Sequence, residues 1–385
     1  MTSGTVGTNR TEARIDLGAI RHNVSALAAR AAGAAQVMAV VKADGYGHGL
    51  VPSARAAVQG GAAWLGVAFL EEALVLRAAG LQVPILAWLM TPGEDLDPVV
   101  AAGIDLSLDN PAQLERAVAA ARATGATARV QLKVDTGLSR AGASVADWPD
   151  LCAAAAKAEA GGEVRVTGVW IHFAFADGGA DHPVNGQQAL VFAEALGVAD
   201  AAGLHPEVRH LANSAATLTA PATHYDLVRP GIAVYGLSPV PQLGPPAAFG
   251  LRPAMTLAST VALIKRVPAG SGVSYRHLYA TAAETTLALV PLGYADGVPR
   301  AATNTAQVLL RGSRRTIAGM VCMDQFVLDV GNDQASAGDE VLLFGPGDEG
   351  EPTAQDWAQA LDTINYEIVT RIGARVPRCY LGDQS

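Results

Sequence analysis

The chain has 385 residues, of which 50% are hydrophobic and 16% charged, and its formal net charge is −9. This length allows two domains with a large core, and the acidic balance argues against nucleic acid or an anionic membrane as a partner. The cysteines, Cys152, Cys322 and Cys379, are far apart and predict neither a disulfide framework nor a zinc site. The N-terminus lacks the apolar core of a secretory signal, and no apolar run could span a bilayer, so we expect a soluble cytoplasmic protein.

Apolar strand-like runs alternate with helical stretches from about residue 18 to residue 240. The runs are VMAVV (37–41), WLGVA (64–68), PILAWL (84–89), IDLSL (104–108), RVQLKV (129–134), VTGVWIHF (166–173), VRHLA (208–212) and LVRPGIAVYG (227–236). Eight such units over this length predict an α/β fold with a TIM (β/α)8 barrel. The alternative is a doubly wound open sheet, which would need fewer strands and usually a stronger phosphate-binding loop.

The pattern of predicted elements changes near residue 250, after which strand-like runs joined by Gly and Pro turns predominate. Helical periodicity returns only at 353–372. We therefore predict a barrel domain over residues 11–245 and a C-terminal, mostly β domain over residues 246–385. The strand-like ARIDL (13–17) is a candidate to pair with the second domain before the barrel starts.

The stretch AQVMAVVKADGYGHG (35–49) carries an apolar run that ends in Lys42 and a glycine-rich turn. A desolvated lysine loses its proton easily, and a neutral amine fixed at a strand end is what Schiff-base chemistry needs. Most lysines at strand ends only mark the exit of the chain from the core. GYGHG also differs from the GxGxxG pattern of dinucleotide-binding loops.

Several other runs also finish in polar groups: Lys133, His172, Asn213 with Ser214, and Arg229. Taken singly, each would more often be a satisfied structural residue. Because the C-terminal ends of barrel strands meet at one rim, we expect these side chains to converge on one site.

The string VVKADGYGHG resembles the signature of alanine racemases. Further strings resemble the same family, in the family's order: KVDTGLSRAG (133–142), IHFAFAD (171–177), RHLANSAAT (209–217), DLVRPGIAVYGL (226–237), GVSY (272–275), GYADGVPR (293–300), MVCMDQF (320–326) and INYEIVTRI (364–372). The resemblance covers the whole chain. It implies a pyridoxal-phosphate-dependent interconversion of L- and D-alanine, for peptidoglycan precursors.

The resemblance implies two catalytic bases. Lys42 would hold pyridoxal phosphate as a Schiff base and act on one face of the substrate Cα, and Tyr275 of GVSY would act on the other face. A phenol with a pKa near 10 must be tuned to act as a base. In the family a hydrogen-bonded chain does this, which here would run from Tyr275 through His172 to Arg229 and His210.

The family's cofactor contacts carry over to matching positions. Those for the phosphate and its surroundings are Tyr46, Asn213, Ser214, Gly231, Ile232 and Tyr366. Arg229 would donate to the pyridine nitrogen, where most pyridoxal enzymes place a carboxylate. Because arginine stays protonated, the nitrogen would stay neutral, which limits transamination.

The resemblance also implies a substrate site shared between subunits. Arg140 would bond the cofactor's phenolic oxygen and help to fix the substrate carboxylate, next to Lys133, which is carbamylated in some members. The Met323 N–H would meet the substrate carboxylate, and Tyr294 would line the entrance. In this family Tyr275, Tyr294 and Met323 come from the other subunit of a head-to-tail homodimer. No metal is expected.

Two alternatives remain at this point. One is a barrel-type amino-acid decarboxylase, or a racemase of another small amino acid. The other is a non-catalytic pyridoxal carrier, which would resemble the barrel alone. Arg276 departs from the family, whose members usually have Gly there. It would be strained if the position needs a glycine-only backbone; we favour the milder interpretation, an altered substrate corridor or a surface change.

Overall fold

The computed structural model describes residues 10–31, 35–179 and 181–382. Backbone contacts divide the chain into two units. One unit contains the described residues up to Ala19, the segment Tyr46–His48 and the residues from Arg252 onwards; the other contains Ile20–Gly45 and Gly49–Leu251. The sequence predicts a domain boundary between residues 245 and 246, whereas the backbone contacts change between residues 251 and 252.

The strand β1 (Thr11–Asp16) belongs to the unit that contains the C-terminal residues. It pairs antiparallel with Met255–Thr260 and parallel with Arg378–Leu381. Ala13 and Ile15 on this strand are fully buried. The early ARIDL segment therefore adds a strand to a sheet built mainly from residues more than 230 positions away.

The other unit is built on eight parallel strands. They are β2 (Gln36–Val40), β3 (Trp64–Val67), β4 (Ile85–Ala87), β5 (Asp105–Leu108), β6 (Ala128–Lys133), β7 (Val164–Trp170), β8 (Val208–His210) and β9 (Leu227–Val228). The last strand, β9, pairs with the first, β2, and a parallel bridge between Asn213 and Arg229 joins the segments that follow β8 and β9. This pairing brings the sheet close to a full circle, so the predicted barrel is confirmed.

Helices connect the barrel strands. They are α1 (Leu17–Arg30), the single turn α2 (Lys42–Tyr46), α3 (Leu50–Gln59), α4 (Leu70–Ala78), α5 (Asp97–Ala101), α6 (Pro111–Thr124), α7 (Trp148–Ala160), α8 (Pro183–Ala201) and α9 (Ser214–Thr219). Helix α6 shows why they form: the Asn110 side chain accepts the Gln113 N–H, Pro111 occupies the first turn, and Gly125 ends the helix at φ 69°. Among the described residues, none of the helices has both the length and the apolar character needed to cross a membrane.

Two strands end earlier than the apolar runs suggest. β9 stops at Val228 because Pro230 has no N–H to continue the ladder, and the chain then forms the 3-10 helix Ile232–Tyr235. β7 stops at Trp170, so His172 lies two residues beyond the strand. The polar residues after these strands consequently sit on short irregular segments at the rim, where their side chains can turn towards one another.

The other described residues form three sheets, the largest of which includes β1, and two α-helices. The strands are β10 (Met255–Thr260), β11 (Leu263–Val267), β12 (Gly272–Val273), β13 (Tyr279–Ala280), β14 (Thr285–Val290), β15 (Gln307–Leu310), β16 (Ser313–Thr316), β17 (Phe326–Gly331), β18 (Glu340–Phe344) and β19 (Arg378–Leu381), and the helices are α10 (Ala354–Ala360) and α11 (Asn365–Thr370). The largest sheet has the order β16-β15-β18-β10-β1-β19. The predicted mostly β character of this part is confirmed.

Candidate active site

Lys42 lies just past the end of β2, at the start of the single turn α2. The four residues that follow have positive φ: Ala43 (53°), Asp44 (54°), Gly45 (61°) and Tyr46 (52°). A left-handed turn costs about 1–2 kcal/mol for each non-glycine residue. Such backbone persists only where the surrounding structure holds it, and it concentrates at functional sites.

Glu72 on α4 holds this turn in place. Its Oε1 accepts the Ala43 N–H at 2.6 Å, and its Oε2 accepts the N–H groups of Ala68 and Phe69 at 3.0 and 3.1 Å. One carboxylate therefore ties the residue after Lys42 to the end of β3. No motif in the sequence points to this role of Glu72.

The amine of Lys42 is half-buried and close to other cations. Burial lowers its pKa, the charge of Arg140 lowers it further, and Glu72 opposes the shift. The Nζ atom also lies 5.8 Å from the centre of the Trp88 ring. A lysine in these surroundings loses its proton more readily than an exposed one, which suits both a nucleophile and a base.

Lys133 is the last residue of β6, at the barrel rim, and is 4% exposed. Its Nζ lies 4.3 Å from the centre of the Trp170 ring, a cation–π distance. Burial lowers the pKa of Lys133 to about 8, and Arg229 and Arg140 contribute to the shift, whereas Asp109 opposes it. The Oδ1 of Asp109 is buried and accepts no hydrogen bond within the described part of the chain.

Arg229 is the buried centre of the rim. Its Nη1 donates to Nδ1 of His210 at 2.9 Å, and its Nη2 donates to the Ile171 carbonyl at 2.7 Å and lies 3.4 Å from Nδ1 of His172. The guanidinium stacks over Trp170, 4.8 Å from the ring centre. Burial lowers the pKa of Arg229 to about 9, which still leaves it protonated at neutral pH.

Both histidines beside Arg229 are neutral. Burial, together with the charge of Arg229, holds the pKa values of His172 and His210 well below their usual range. Because a guanidinium only donates, each Nδ1 must be an acceptor, and the proton of each ring therefore lies on Nε2.

The loop before Arg140 is shaped by one side chain. Oδ1 of Asp135 accepts the N–H groups of Gly137, Leu138 and Ser139 at 2.9–3.1 Å. Arg140 follows directly and is exposed, and within the described residues it makes no ion pair or hydrogen bond. Its guanidinium is available to an anionic ligand.

Ser214 and Gly231 meet at the starts of two short helices. Asn213 caps α9 by accepting the Ala216 N–H at 3.1 Å, and Ser214 Oγ accepts the Gly231 N–H at 2.8 Å. Ile232 begins the 3-10 helix that follows. The structure thus brings together the four positions expected here to bind a phosphate.

This barrel rim fits pyridoxal phosphate in three respects. Lys42 offers an amine that deprotonates readily, and Arg140 offers a guanidinium that has no ion pair or hydrogen bond with any described residue. The Nε–H of Arg229 has no acceptor in the described part of the chain, so it can donate to a ring nitrogen. The rim also carries the positive charges of Lys42, Lys133, Arg140 and Arg229, which suit a ligand with phosphate and carboxylate groups.

Tyr46 and Tyr366 lie together in the other unit. Their ring centres are 6.3 Å apart, and Tyr46 is buried, which raises the pKa of its phenol. The Tyr46 phenol is therefore protonated at neutral pH and can donate a hydrogen bond.

Tyr275, Tyr294 and Met323 lie on adjoining loops of the same unit. The Tyr294 N–H donates to the Cys322 carbonyl at 3.0 Å, and Ser274 Oγ lies 3.3 Å from Cys322 Sγ. All three side chains are exposed: Tyr275 is 68%, Tyr294 44% and Met323 53% exposed. The unit presents them as one outward-facing group, which we call the exposed loop group.

Arg276 adopts φ 63° and ψ 1°, between Ser274 at φ 61° and His277 at φ 47°. These angles concern the backbone only, so the altered substrate corridor or surface change expected from Arg276 stays a prediction. The position has the left-handed conformation that favours glycine, and Arg276 adopts it although its side chain carries a Cβ.

Both parts of the chain match models of one family. Residues 15–239 match the alanine racemase N-terminal domain, and residues 254–380 match the alanine racemase C-terminal domain. The chain belongs to the alanine racemase family. Alanine racemase of Frankia casuarinae is 68% identical over 97% of this chain and 96% of its own length, and that of Thermobifida fusca is 62% identical over 96% and 98%. The crystal structure of alanine racemase from Streptomyces lavendulae superposes with a TM-score of 0.96 at 57% identity, covering 98% of each chain.

Beyond the residues expected from the resemblance to alanine racemases, the barrel rim contains Glu72, Asp135, Trp170 and, deeper in the barrel, Gln131. The sequence does contain a pattern that points to Gln131. In RVQLKV the polar residues Arg129, Gln131 and Lys133 alternate with apolar ones, whereas a strand buried on both faces is usually apolar throughout. Glu72 and Asp135 act on backbone N–H groups, and such contacts leave no pattern in a single sequence.

Proposed function

We propose that this chain interconverts L- and D-alanine with pyridoxal phosphate as its cofactor. The observation that carries the proposal is Lys42, a half-buried lysine with a lowered pKa that a left-handed turn fixes at the barrel rim beside Arg140. Membership of the alanine racemase family supports the substrate.

Different residues would bind the aldehyde carbon, the ring nitrogen and the phosphate of the cofactor. Lys42 would bind its aldehyde carbon covalently, and Arg229 would donate its Nε–H to the ring nitrogen. Because Arg229 keeps its own proton, the ring nitrogen would stay neutral. The phosphate would be held by Ser214, with Asn213 behind it, by the N–H groups of Gly231 and Ile232, and by the phenols of Tyr46 and Tyr366.

Two groups would move the substrate proton. When bound, pyridoxal phosphate withdraws electrons from the substrate Cα and makes its C–H bond acidic. Lys42, once released from the cofactor, would take or return this proton on one face of Cα, because its lowered pKa leaves part of it neutral. Tyr275 would serve the other face. Arg140 and the Met323 N–H would fix the substrate carboxylate, and Tyr294 would line the entrance.

We propose that the working form is a head-to-tail homodimer in the cytoplasm. The exposed loop group supports the dimer, since three large side chains with roles at the site face outward from one unit. The three cysteines are all free, which is typical of a reducing compartment. D-Alanine made there would supply peptidoglycan precursors. Lys133 would be carbamylated when its neutral amine meets carbon dioxide.

The test combines the reaction with the site of attachment. The protein is incubated with pyridoxal phosphate and D-alanine in deuterated water, and Cα exchange and inversion are followed by NMR. Borohydride reduction and peptide mapping should place the label on Lys42, and Lys42→Ala should abolish both label and turnover. Lys157→Ala, on the exposed side of α7, is the matched control. A label on another lysine would refute the assignment of Lys42.

A further inference from the structure

A chain of hydrogen bonds runs from Arg229 into the interior of the barrel. Arg229 Nη1 donates to Nδ1 of His210 at 2.9 Å, Nε2 of His210 lies 2.7 Å from Oε1 of Gln131, and Nε2 of Gln131 donates to Oδ2 of Asp105 at 3.2 Å. Gln131, His210 and Asp105 are fully buried. None of the three faces the rim, so the chain is a support behind the site.

The direction of every bond in this chain is fixed by chemistry. Arg229 can only donate, so Nδ1 of His210 accepts, and the neutral ring then carries its proton on Nε2. This Nε2–H needs an acceptor, which is the carbonyl oxygen of Gln131. The amide NH₂ of Gln131 consequently points to Asp105, whose carboxylate also accepts from Arg129 at 2.6 Å. All donors thus point from Arg229 towards Asp105.

The barrel is built to hold the Gln131 amide in this place. A Cβ on Gly168 would lie 2.7 Å from both Cδ and Oε1 of Gln131, so only glycine leaves room for the side chain. The register between β6 and β7 shifts at this point, so that Val130 pairs with Val166 but Gln131 pairs with Gly168. Such a bulge redirects a side chain: the skipped residue, Thr167, turns its hydroxyl to Asp105 and to the Val130 carbonyl.

A neutral amide between His210 and Asp105 has an electrostatic consequence. A carboxylate that touched the ring directly would make it more basic and draw a second proton to it. His210 would then have no lone pair for Arg229. The Gln131 carbonyl satisfies the Nε2–H without adding charge, and Asp105 is kept one residue further away.

We propose that Gln131 is a positioning residue for Arg229. By accepting the Nε2–H of His210, it holds the ring with Nδ1 towards the guanidinium and so keeps Arg229 turned to the site. The hydrogen-bond pattern of His210 is a property of the protein alone, whereas the consequence for catalysis rests on the proposed function.

The first test is made on the protein without cofactor. Long-range ¹H–¹⁵N NMR of histidine-labelled protein, with His210 assigned through His210→Gln, should show the proton on Nε2 and a slowly exchanging, hydrogen-bonded resonance. In Gln131→Met this proton should move upfield and exchange faster. Protonation of His210 on Nδ1 in the unaltered protein, or an unchanged Nε2–H in Gln131→Met, would overturn the proposal.

The second test measures turnover. In the cofactor-loaded enzyme Gln131→Met should lower kcat by roughly tenfold to a hundredfold, by analogy with the loss seen when the partner that orients a metal-bound histidine is removed. KM for L-alanine should stay the same because Gln131 lies below the rim. Gln36→Met is the matched control, since its carbonyl also accepts from a ring N–H, that of Trp64, but at the start of β2. An altered His210 resonance with an unchanged kcat would overturn the positioning role. Absence of alanine racemisation in the unaltered enzyme would refute the proposed function and leave the NMR result standing.

Gly168→Ala provides a second route should Gln131→Met fold poorly. The new methyl should push the amide away from His210 and reproduce the NMR and kcat changes of Gln131→Met. In Gly168→Ala with Gln131→Ala the methyl has room, so the added glycine change should cause no further loss beyond that of Gln131→Ala. Additive losses in this pair would show that Gly168 acts independently of Gln131 and would contradict the proposal.

Discussion

Burial lowers the pKa values of individual cationic side chains at the barrel rim. Lys42, Lys133 and Arg229 all have lowered pKa values, and burial is the largest cause for each. Carboxylates offset these shifts only in part: Glu72 opposes the shift at Lys42, and Asp109 is the acidic group that most opposes it at Lys133. The folded protein without an anionic ligand is therefore destabilised by its own site, as is common where binding and stability compete.

Because of Lys133, this destabilisation should appear as a pH dependence of the free energy of unfolding. The pKa of Lys133 is about 8 in the folded protein and 10.5 when exposed, so between these pH values the unfolded chain binds more protons and stability rises with pH. Below pH 8 the destabilisation by Lys133 is fully present. We expect the rise in the free energy of unfolding from pH 8 to pH 10.5 to be smaller in Lys133→Met, by urea unfolding without cofactor in buffer free of carbon dioxide. Lys157→Met should keep the full rise; an equal rise in Lys133→Met would contradict the shift.

Tyr275 gives a face-specific prediction. In Tyr275→Phe, Cα exchange from L-alanine should fall by at least about a hundredfold, the usual loss of one acid–base group. Exchange from D-alanine through Lys42 should persist, while net racemisation falls in both directions. The measurement is single-turnover exchange from each enantiomer in deuterated water. Tyr279→Phe is the control, since it removes a phenol bonded to Asp329 and should affect both enantiomers alike. An equal loss from both enantiomers in Tyr275→Phe would remove its role as a face-specific base.

Among the secondary-structure elements, the turn α2 and the strands β6 and β7 each contain an irregular segment that is unfavourable by itself and that neighbouring residues stabilise. The left-handed turn after Lys42 is unfavourable in isolation, and the Glu72 carboxylate stabilises it from the start of α4. The bulge between β6 and β7 works in the same way, since it interrupts a regular ladder to aim Gln131 and Thr167 inward. Each irregularity directs a side chain that a regular element would have turned elsewhere.

Glu72→Ala should therefore weaken the turn. Three backbone N–H groups would lose their acceptor. Because two of these bonds are exposed, we expect a loss of about 0.5–1.5 kcal/mol in the free energy of unfolding, the net contribution of one protein hydrogen bond. Cofactor retention during dialysis should fall as well, because Lys42 precedes the freed residue. Glu71→Ala is the control, being its exposed neighbour. If the free energy of unfolding and the cofactor retention are unchanged in Glu72→Ala, the turn after Lys42 does not depend on Glu72 for its stability.

At the scale of the whole molecule, the proposed site residues are divided between two units of the chain. The barrel unit contains Lys42, Arg140 and Arg229, and the other contains the exposed loop group. A homodimer in which each barrel meets the partner's exposed loop group would complete two identical sites.

Mixed subunits test this arrangement. Lys42→Ala and Tyr275→Phe are each expected to be inactive in net racemisation, but a hybrid dimer would contain one site with both residues intact. Activity should therefore return after the two proteins are mixed and allowed to exchange subunits, with mass spectrometry to measure the hybrid fraction. Two Lys42→Ala preparations with different tags, mixed in the same way, are the control. A well-exchanged mixture without recovered activity would indicate sites built within one chain.

The barrel, the β-rich second part and the family could be predicted from the sequence, because hydrophobic period and motif order are local properties of the chain. The sequence also placed Lys42 and Arg229 at strand ends. It could not determine the left-handed turn, the positive φ of Arg276 or the role of Glu72, since each depends on which backbone groups meet in space. The chain from Arg229 to Asp105 joins residues up to 124 positions apart. Only closure of the barrel brings them within hydrogen-bond distance, and their burial then makes each unmet donor costly enough to fix the direction of every bond.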